Sequence, residues 1–505
     1  MFKMKILVVS ESIWSLGVVY DLHFFAEGLS MRGHEVSVLE PGQEEENPEL
    51  LSDFTSKNFN TSRYLRDIQI NVITPTIKSK SSYRYLPIPK WFKTQLNRYH
   101  IRYKTIDNLL KNEKFDVILL YSAARLGLAT VFLAKRYKIP IVFRTIDLLH
   151  VLWTNRAESF IVRQLEQFIY KRVDRICALT PSYKEYVQRL SADPKKVKLV
   201  LHPLDMNRFK PFKGEHNEIE VALRKKWNIK EEDKVVLFMG TLYPFGGLIE
   251  LVQNIDLLFN KIPNTKLLIV GDGIIKEELS LLISKKKLKG KVILTGLEPY
   301  ILMPHYINLA DVCINVFPIN KKTKDIFSAK IVQYLACGKP TISSALQGIY
   351  KLIPKENAGV IYRAKITEII SETIKLLSNE DARLSMSLKG IRYAHKNHEF
   401  DNVLDSFEKI LYELNQNNYL PEKRTLPINY KLKDDILNTN NFDELKSDMN
   451  EQESSTELSI NDSHFDSNES SNRIKELEKC LEILEKEKRS KVIELQNNLQ
   501  RQDSL

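Results

Sequence analysis

Short apolar runs alternate with longer amphipathic segments from Lys5 to Ser343. The runs are rich in Val, Ile and Leu, and the segments between them are long enough for helices. Strands that alternate with helices are typical of βαβ units, so the pattern predicts an α/β fold with parallel sheets. In the first part of the chain the predicted strands are Ile6–Val9, Val36–Leu39, Ile68–Ile73, Val117–Leu120, Ile141–Phe143, Ile176–Leu179 and Val197–Leu201. In the second part they are Val235–Met239, Leu267–Val270, Val292–Leu294, Cys313–Val316 and Thr341–Ser343.

A polar and charged stretch, Gly214–Lys234, interrupts this alternation. We therefore predict a first domain over 1–212, a linker over 213–234, a second domain over 235–392 and a further helix within 393–415. Each domain is expected to be doubly wound and Rossmann-like. Two such domains facing each other across a cleft bind ligands at the carboxyl ends of their strands.

The composition changes after Leu414, where Asn, Ser, Asp and Glu replace most large apolar residues. Such a segment buries too little apolar surface to fold, so 416–472 is predicted to be a disordered linker. Heptad-like spacing follows at Ile474, Leu477, Leu481, Leu484, Val492, Leu495 and Leu499, with a slip near Lys488. The segment 473–502 is therefore either a lone amphipathic helix or a short coiled coil through which the chain self-associates.

The net charge is +11, an excess that suits acidic ligands such as nucleotide sugars, lipid headgroups or nucleic acid. The four cysteines lie far apart without metal-ligand spacing, which favours a reducing compartment. The chain enters its first predicted strand without a signal-peptide pattern, and Arg125 breaks the most apolar region. We therefore expect a cytoplasmic protein with no transmembrane segment, either soluble or peripheral on the inner face of the membrane.

The segment Asp325–Pro340 carries the strongest candidate chemistry. A loop leads into a helix-length stretch whose first N–H groups, at Phe327, Ser328 and Ala329, have no partner within the helix. Free N–H groups at a helix start bind anions. The side chain of Asp325, just before the helix-length stretch, and that of Gln333, within it, are expected to point to the same side. The pattern predicts a cradle for a phosphate and a ribose.

Several further landmarks occur in order along the chain. They are Ile6–Ser10 leading to Gly17, His202–Asp205, Gly240–Leu242, Gly246–Gly247, Gly271–Gly273, Gly296 and Ala310–Asp311. Together with Asp325–Pro340 they resemble family 4 glycosyltransferases, which have the two-domain GT-B fold. The resemblance implies a nucleotide-sugar donor in the second domain, a sugar or lipid-linked acceptor in the first, and retention of anomeric configuration. It also implies that the last helix returns to the first domain and that no cofactor beyond the donor is required.

The resemblance also implies roles for particular residues. The implied nucleotide-sugar-binding residues are Gly17, Gly240, Thr241, Gly271, Asp272, Phe327, Ser328, Ala329, Lys330 and Gln333. The implied catalytic residues are Asp147 and Asp325, which would stabilise an oxocarbenium-like transition state. Asp147 has a second interpretation, because an Asp after a strand is often a helix N-cap. Its neighbour His150 could also turn toward the sugar.

The chain departs from the family at the phosphate clamp. Thr241 and Gly246 stand where the family has an Arg and a Lys, and Lys330 is the candidate substitute unless it is a solvated first-turn lysine. No Asp-x-Asp pattern is present, so no metal is expected. The departures leave a rival interpretation open, in which a non-catalytic binding or scaffold protein with this fold assembles through its C-terminal helix.

A basic and aromatic stretch, Lys78–Lys104, contains no acidic residue. Cations beside aromatic side chains suit an anionic bilayer surface, so this stretch is a candidate membrane contact. A solvated basic helix with a packed aromatic face would give the same sequence. Single-stranded nucleic acid uses these residue types too, but with two Rossmann-like domains we expect no nucleic-acid partner.

Overall fold

The computed structural model describes residues 3–10, 14, 21–41, 43–44, 54–59, 68, 70–77, 90–121, 126–152, 155–190, 193–212, 217–354 and 358–415. These residues form two Rossmann-like α/β units, each built on a mostly parallel sheet. The predicted fold class is therefore confirmed for the globular part. The linker and helix predicted over 416–502 lie outside the described residues, as does Gly17.

The first sheet has the strand order β3-β5-β2-β1-β6-β7-β8-β9, with β4 paired to β5. Its strands are β1 Lys5–Val9, β2 Glu35–Leu39, β3 Gln43–Glu44, β4 Phe54–Phe59, β5 Ile70–Ile77, β6 Val117–Leu120, β7 Ile141–Thr145, β8 Arg175–Ala178 and β9 Val197–Leu199. Among the described strand pairs of this sheet, the β4–β5 pair is antiparallel and the others are parallel. The pattern did not predict β3 or β4, because the residues of β4 are mostly polar and a short edge strand carries no apolar run.

The second sheet has the order β12-β11-β10-β13-β14-β15. Its strands are β10 Lys234–Met239, β11 Thr265–Val270, β12 Val292–Gly296, β13 Val312–Asn315, β14 Thr341–Ser344 and β15 Val360–Arg363. All described pairings in this sheet are parallel. The edge strand β15 was not predicted from the sequence, since it is four residues long and three of them are only partly buried.

Helices cover both faces of each sheet. Those around the first sheet are α1 Asp21–Met31, α2 Lys90–Asn112, α3 Gly127–Tyr137, α4 Leu149–Leu152, α5 Arg156–Arg172 and α6 Pro181–Arg189. Those that follow are α7 Asn217–Lys226, α8 Leu248–Asn254, α9 Asp256–Lys261, α10 Lys276–Lys285, α11 Met303–Asn308, α12 Ala329–Ala336, α13 Gln347–Tyr350, α14 Ile366–Leu377, α15 Glu380–His398 and α16 Phe400–Leu414. Within the described part of the chain, no helix combines the length and apolar character needed to cross a membrane.

The last helix, α16, returns to the first domain and packs on α1. A Cβ atom added to Gly28 of α1 would lie 2.8 Å from the Phe400 ring, so the absence of a side chain permits this close approach. Arg32, at the end of α1, forms ion pairs with Asp401, Asp405 and Glu408. The same core cluster contains residues of α16 and the first sheet, so this helix is part of the first domain's core.

Candidate functional site

Two glycine turns, one after β10 and one after β11, meet at the carboxyl edge of the second sheet. A Cβ atom on Gly271 would lie 2.0 Å from the carbonyl oxygen of Gly240, and one on Gly273 would lie 2.5 Å from that of Leu242. Gly240 and Gly271 also have φ values of 139° and 144°, which favour glycine. The turns after β10 and β11 can therefore lie against each other only because these positions lack side chains.

Lys330 reaches this pair of turns from the first turn of α12. A Cβ atom on Gly240 would lie 2.6 Å from the Lys330 Nζ atom. That Nζ atom lies 4.2 Å from the centroid of the Phe238 ring and 5.7 Å from that of Phe317. Burial lowers the pKa of Lys330 to about 7. Among the described residues no acidic side chain forms an ion pair with it, and the two aromatic rings face its ammonium group.

The start of α12 has free backbone donors. Ser328 occupies the N-cap position, but its hydroxyl donates to Asn315 Oδ1 at 2.9 Å instead of capping the helix. The Asn315 amide in turn donates to the Ser343 hydroxyl at 3.0 Å. The first backbone hydrogen bond of the helix start runs from Ile331 to the Ser328 carbonyl, which leaves the N–H groups of Ala329 and Lys330 available to an anion.

Asp147 and Asp325 both lie near one tyrosine, Tyr183 of α6. Burial raises the pKa of Tyr183 well above its usual value, the charges of Asp147 and Asp325 raise it further, and the backbone N–H of Phe327 partly offsets them. Tyr183 belongs to the first domain and Asp325 to the second. Both predicted carboxylates therefore lie within electrostatic range of one tyrosine of the first domain, which no sequence motif indicated.

Asp147 does not cap the helix that follows it. The N–H group of Leu149 donates to Glu166 at 3.1 Å, so the N-cap interpretation of Asp147 is wrong. Asp147 is partly buried, and burial raises its pKa to about 6. Nor is His150 a free group, because its Nδ1 atom lies 2.9 Å from Glu166 and its ring stacks on Tyr186.

Asp325 is held in place by backbone packing. The Gly348 N–H donates to the Lys324 carbonyl at 2.9 Å, and a Cβ atom on Gly348 would lie 2.3 Å from the Asp325 carbonyl oxygen. The Asp325 carboxylate lies 3.8 Å from Lys324 Nζ. Its side chain is 20% exposed, so a ligand can still reach it.

Two other predicted binding residues have partners inside the protein. Asp272 accepts a hydrogen bond from the Gly273 N–H at 2.8 Å and pairs with Lys276 at 2.6 Å. The Gln333 amide donates to the Tyr300 hydroxyl at 3.2 Å, and Gln333 is buried. The Gln333 carbonyl oxygen remains the atom through which it could accept a ribose hydroxyl. Thr241, partly buried beside Gly240, is uncharged, so it cannot take over the role of the Arg in the family's phosphate clamp.

A buried charge cluster in the first domain was not indicated by any sequence motif. Arg144, 0% exposed, donates to both carboxylate oxygens of Asp21 at 2.8 and 2.9 Å. Tyr121 donates to the same carboxylate at 2.9 Å, and His202 lies 3.3 Å from it. Burial raises the Asp21 pKa, but the Arg144 charge and these hydrogen bonds more than offset it, so the pKa lies well below its usual range. Only the tertiary fold joins these residues.

Part of the basic and aromatic stretch lies in α2. Tyr99 and Tyr103 are partly buried against the first-domain core, with ring centroids 6.4 Å apart. These two rings pack inward, as expected for the alternative of a basic helix with a packed aromatic face, and the membrane contact of the stretch stays a prediction. Residues 78–89 lie outside the described residues.

In the described ranges, no group of three His, Cys, Asp or Glu side chains could hold a metal ion.

Comparisons with known proteins agree with this architecture. The model of the Glycosyltransferase Family 4 matches residues 17–208, and the model of Glycosyl transferases group 1 matches residues 220–393. The chain is 22% identical over 393 residues to the alpha-monoglucosyldiacylglycerol synthase of Acholeplasma laidlawii, covering 75% of this chain and 89% of that protein. It is 20% identical to the N-acetyl-alpha-D-glucosaminyl L-malate synthase of Bacillus anthracis, over 57% of this chain and 71% of that one.

The fold is also similar to that of solved structures. The structure of Anabaena HepE in complex with UDP-glucose matches with a TM-score of 0.62 and 14% identity, covering 81% of this chain and all of that one. At this identity the likeness concerns the fold alone. The two family models adjoin at the boundary between the two sheets, and each matches one Rossmann-like domain. The chain therefore belongs to the family 4 type of glycosyltransferases with GT-B fold.

Proposed function

We propose that this chain transfers a sugar from a nucleotide-sugar donor to a sugar or lipid-linked acceptor, with retention of configuration and without a metal ion or resident cofactor. One observation carries the proposal. The Lys330 ammonium group, without an acidic partner in the described part of the chain, lies beside the Gly240 turn at the uncapped start of α12. An unpaired cation next to free N–H groups is suited to a diphosphate.

The second domain would hold the donor. The backbone at Phe327, Ser328 and Ala329 and the turns at Gly240 and Gly271 would surround the phosphates. Lys330 would take the place of the missing clamp cations by neutralising charge on the leaving diphosphate. By its resemblance to the family, the chain would also use Gly17 to contact these phosphates. Thr241, Asp272 and Gln333 would complete the binding site, with Gln333 accepting a ribose hydroxyl.

Asp147 and Asp325 would act at the sugar. The bond from the anomeric carbon to the diphosphate breaks, and its electron pair leaves with the phosphate. The acceptor oxygen bonds to the same face, and its proton passes to the departing phosphate oxygen. The two carboxylates stabilise the positive charge that develops on the sugar ring.

The Acholeplasma relative is named as a synthase of a glucosylated diacylglycerol, which supports a lipid-linked acceptor. The Bacillus relative is named as a synthase of a glucosaminyl malate, which supports a soluble acceptor. We propose a cytoplasmic enzyme, peripheral on the inner face of the membrane, with 78–104 as one anionic-lipid contact and self-association through 473–502.

A second candidate is a non-catalytic sugar-binding or scaffold protein that assembles through its C-terminal helix. The observation that favours it is the pair of positions Thr241 and Gly246, which supply no cation to the clamp. Both the transferase and a sugar-binding protein would bind the donor, but only the transferase would form product, whereas a scaffold need not bind the donor.

The test begins with titration of uridine, guanosine and adenosine diphosphosugars into the full-length protein. We expect one nucleotide series to bind, and Lys330→Ala to weaken its binding while Lys322→Ala, an exposed lysine of the preceding loop, leaves it unchanged. Incubation of the best donor with lipid and sugar acceptors then separates the candidates. Binding without transfer to any acceptor favours the sugar-binding protein, and absence of binding in all three series contradicts the transferase and leaves the scaffold.

A further inference from the structure

Helices α2, α3 and α5 lie side by side on one face of the first sheet. α2 contacts α3, and α3 contacts α5. Buried residues of all three belong to one core cluster, so their outer sides face away from the sheet. Those outer sides carry large apolar residues that nothing in the described structure covers. Phe132 of α3 is 49% exposed, and Phe160 and Ile161 of α5 are 62% and 57% exposed.

The apolar residues of α5 and α3 meet at one contact between the two helices. Ile161, Leu165 and Phe168 follow each other at helical spacing along α5, so they lie on one side of that helix. The Phe168 ring lies 5.5 Å from the Phe132 ring of α3, which joins the two helices. Soluble monomers seldom expose such contiguous apolar patches unless they bind a partner.

Exposed cations surround this apolar surface. They are Lys135 and Arg136 of α3 and Arg156, Arg163, Lys171 and Arg172 of α5. The guanidinium of Arg172 lies 3.5 Å from the centroid of the Phe168 ring. α3 contains no acidic residue, and α5 contains only Glu158 and the buried Glu166. The charge therefore suits an anionic partner, and the exposed aromatic rings suit one with an apolar interior.

The position of the surface relates it to the candidate site. α5 begins directly after the short helix α4, which follows Asp147 at the carboxyl edge of β7. The Ser159 hydroxyl donates to the His150 carbonyl at 2.7 Å, and this bond ties the start of α5 to α4. Phe160 and Ile161, in the first turns of α5, therefore lie at the edge of the sheet that carries Asp147.

We propose that the outer face of α3 and α5, centred on Phe132, Phe160 and Ile161, docks on an anionic lipid bilayer. The cations contact the headgroups, and the apolar side chains enter the interfacial region. This surface is separate from the stretch 78–104 considered in the sequence analysis. Docking brings the edge that carries Asp147 to the membrane, so a lipid-linked acceptor can reach the cleft without leaving the bilayer. The docking itself does not depend on the proposed transferase activity.

The experiment is sedimentation of the full-length protein with phosphatidylcholine vesicles that either contain or lack phosphatidylglycerol. We expect binding only to the anionic vesicles. Changing Lys135, Arg163 and Lys171 together to Glu should weaken it by about 100-fold or more, given the contribution of each cation near such a surface. Phe160→Ala with Ile161→Ala should weaken it by about 10-fold through lost apolar burial.

A matched variant provides the control. Lys225, Lys285 and Lys289 are exposed lysines of the second domain, and their joint change to Glu alters the net charge equally. The control variant should bind the anionic vesicles nearly as tightly as the parent protein does. Failure of the parent to sediment, or equal loss in the control, would overturn the proposal. Loss on reversing Lys90 and Lys93 but not the α3 and α5 cations would also overturn it and assign the contact to 78–104.

Discussion

Arg144 of the first domain is fully buried and Lys330 of the second is partly buried, and the surroundings of these two basic side chains differ. Arg144 is fully buried and bonded to both oxygens of Asp21 and to the backbone carbonyl of Leu201. Lys330 faces two aromatic rings and the Gly240 turn, and the described residues offer it no carboxylate. The first charge is neutralised inside the fold. The Lys330 charge has no carboxylate partner among the described residues, and we infer that a ligand supplies its counter-charge.

The electrostatics differ in the same way. For Asp21, the Arg144 charge outweighs the cost of burial and holds the pKa below its usual range. For Lys330, only burial acts, and it lowers the pKa to about 7. A charged side chain that is shielded from water without a counter-charge destabilises the fold unless a ligand supplies that charge. Groups of this kind are frequent at functional sites. Arg144 is therefore a structural cation, whereas Lys330 is the cation that we propose to bind the donor.

The largest effect should come from removing the structural cation. Arg144→Leu leaves Asp21 as an uncompensated buried charge and should lower the free energy of unfolding by about 3–5 kcal/mol. Urea denaturation of the full chain measures it. Arg163→Leu, at an exposed arginine of α5, is the matched control and should change stability by less than about 0.5 kcal/mol. Similar losses in both variants would mean that the Arg144–Asp21 pair is not structural.

Replacing Lys330 should weaken ligand binding and leave the free energy of unfolding undiminished, the reverse of the effect expected at Arg144. Lys330→Ala should weaken nucleoside-diphosphate binding by about 1.5–3 kcal/mol, the range for a lost charge-assisted hydrogen bond. Its free energy of unfolding should not fall, because the replaced charge has no carboxylate partner. Calorimetric titration and urea denaturation of the same sample measure the two quantities. An unchanged affinity would remove Lys330 from the donor site.

A smaller effect is expected from pH. The raised pKa of Asp147, about 6, means that its carboxylate is lost as pH falls through that value. The lowered pKa of Lys330, about 7, means that its ammonium is lost as pH rises through that value. If both charges are required, kcat/KM should form a narrow bell with its maximum between the two values.

A lysine-to-arginine variant sharpens this prediction. In Lys330→Arg the guanidinium stays protonated, so the alkaline limb should move to higher pH while the acidic limb stays in place. An alkaline limb at the same pH in parent and variant would show that another group titrates there.

The smallest expected effect is that of a chelator. If Lys330 supplies the charge that neutralises the diphosphate, excess EDTA should leave the rate of sugar transfer unchanged, and added Mg²⁺ or Mn²⁺ should not raise it. Product formation under the three conditions measures this. Strict dependence on a divalent cation would contradict the proposed role of Lys330 as the main counter-charge.

The sequence by itself determined the alternation of strands and helices. Apolar runs such as Ile6–Val9 and Leu267–Val270 predict buried parallel strands because neither face of such a strand meets water. It also identified the helix start near Ser328 and the glycine turns at Gly240 and Gly271, since these features depend on local backbone chemistry. Short or polar edge strands such as β4 were missed, because their pairing depends on neighbours distant in the chain.

Only the tertiary structure decided which side chains meet. Asp21 and Arg144 are far apart in sequence, and so are Tyr183 and Asp325, and no spacing rule relates either pair. The fold joins them because parallel strands and two packed domains bring their loop ends to shared edges. Whether a charge is paired depends on those long-range contacts. The sequence could therefore identify Lys330 as a candidate, but the absence of a nearby carboxylate in the described structure separates it from Arg144.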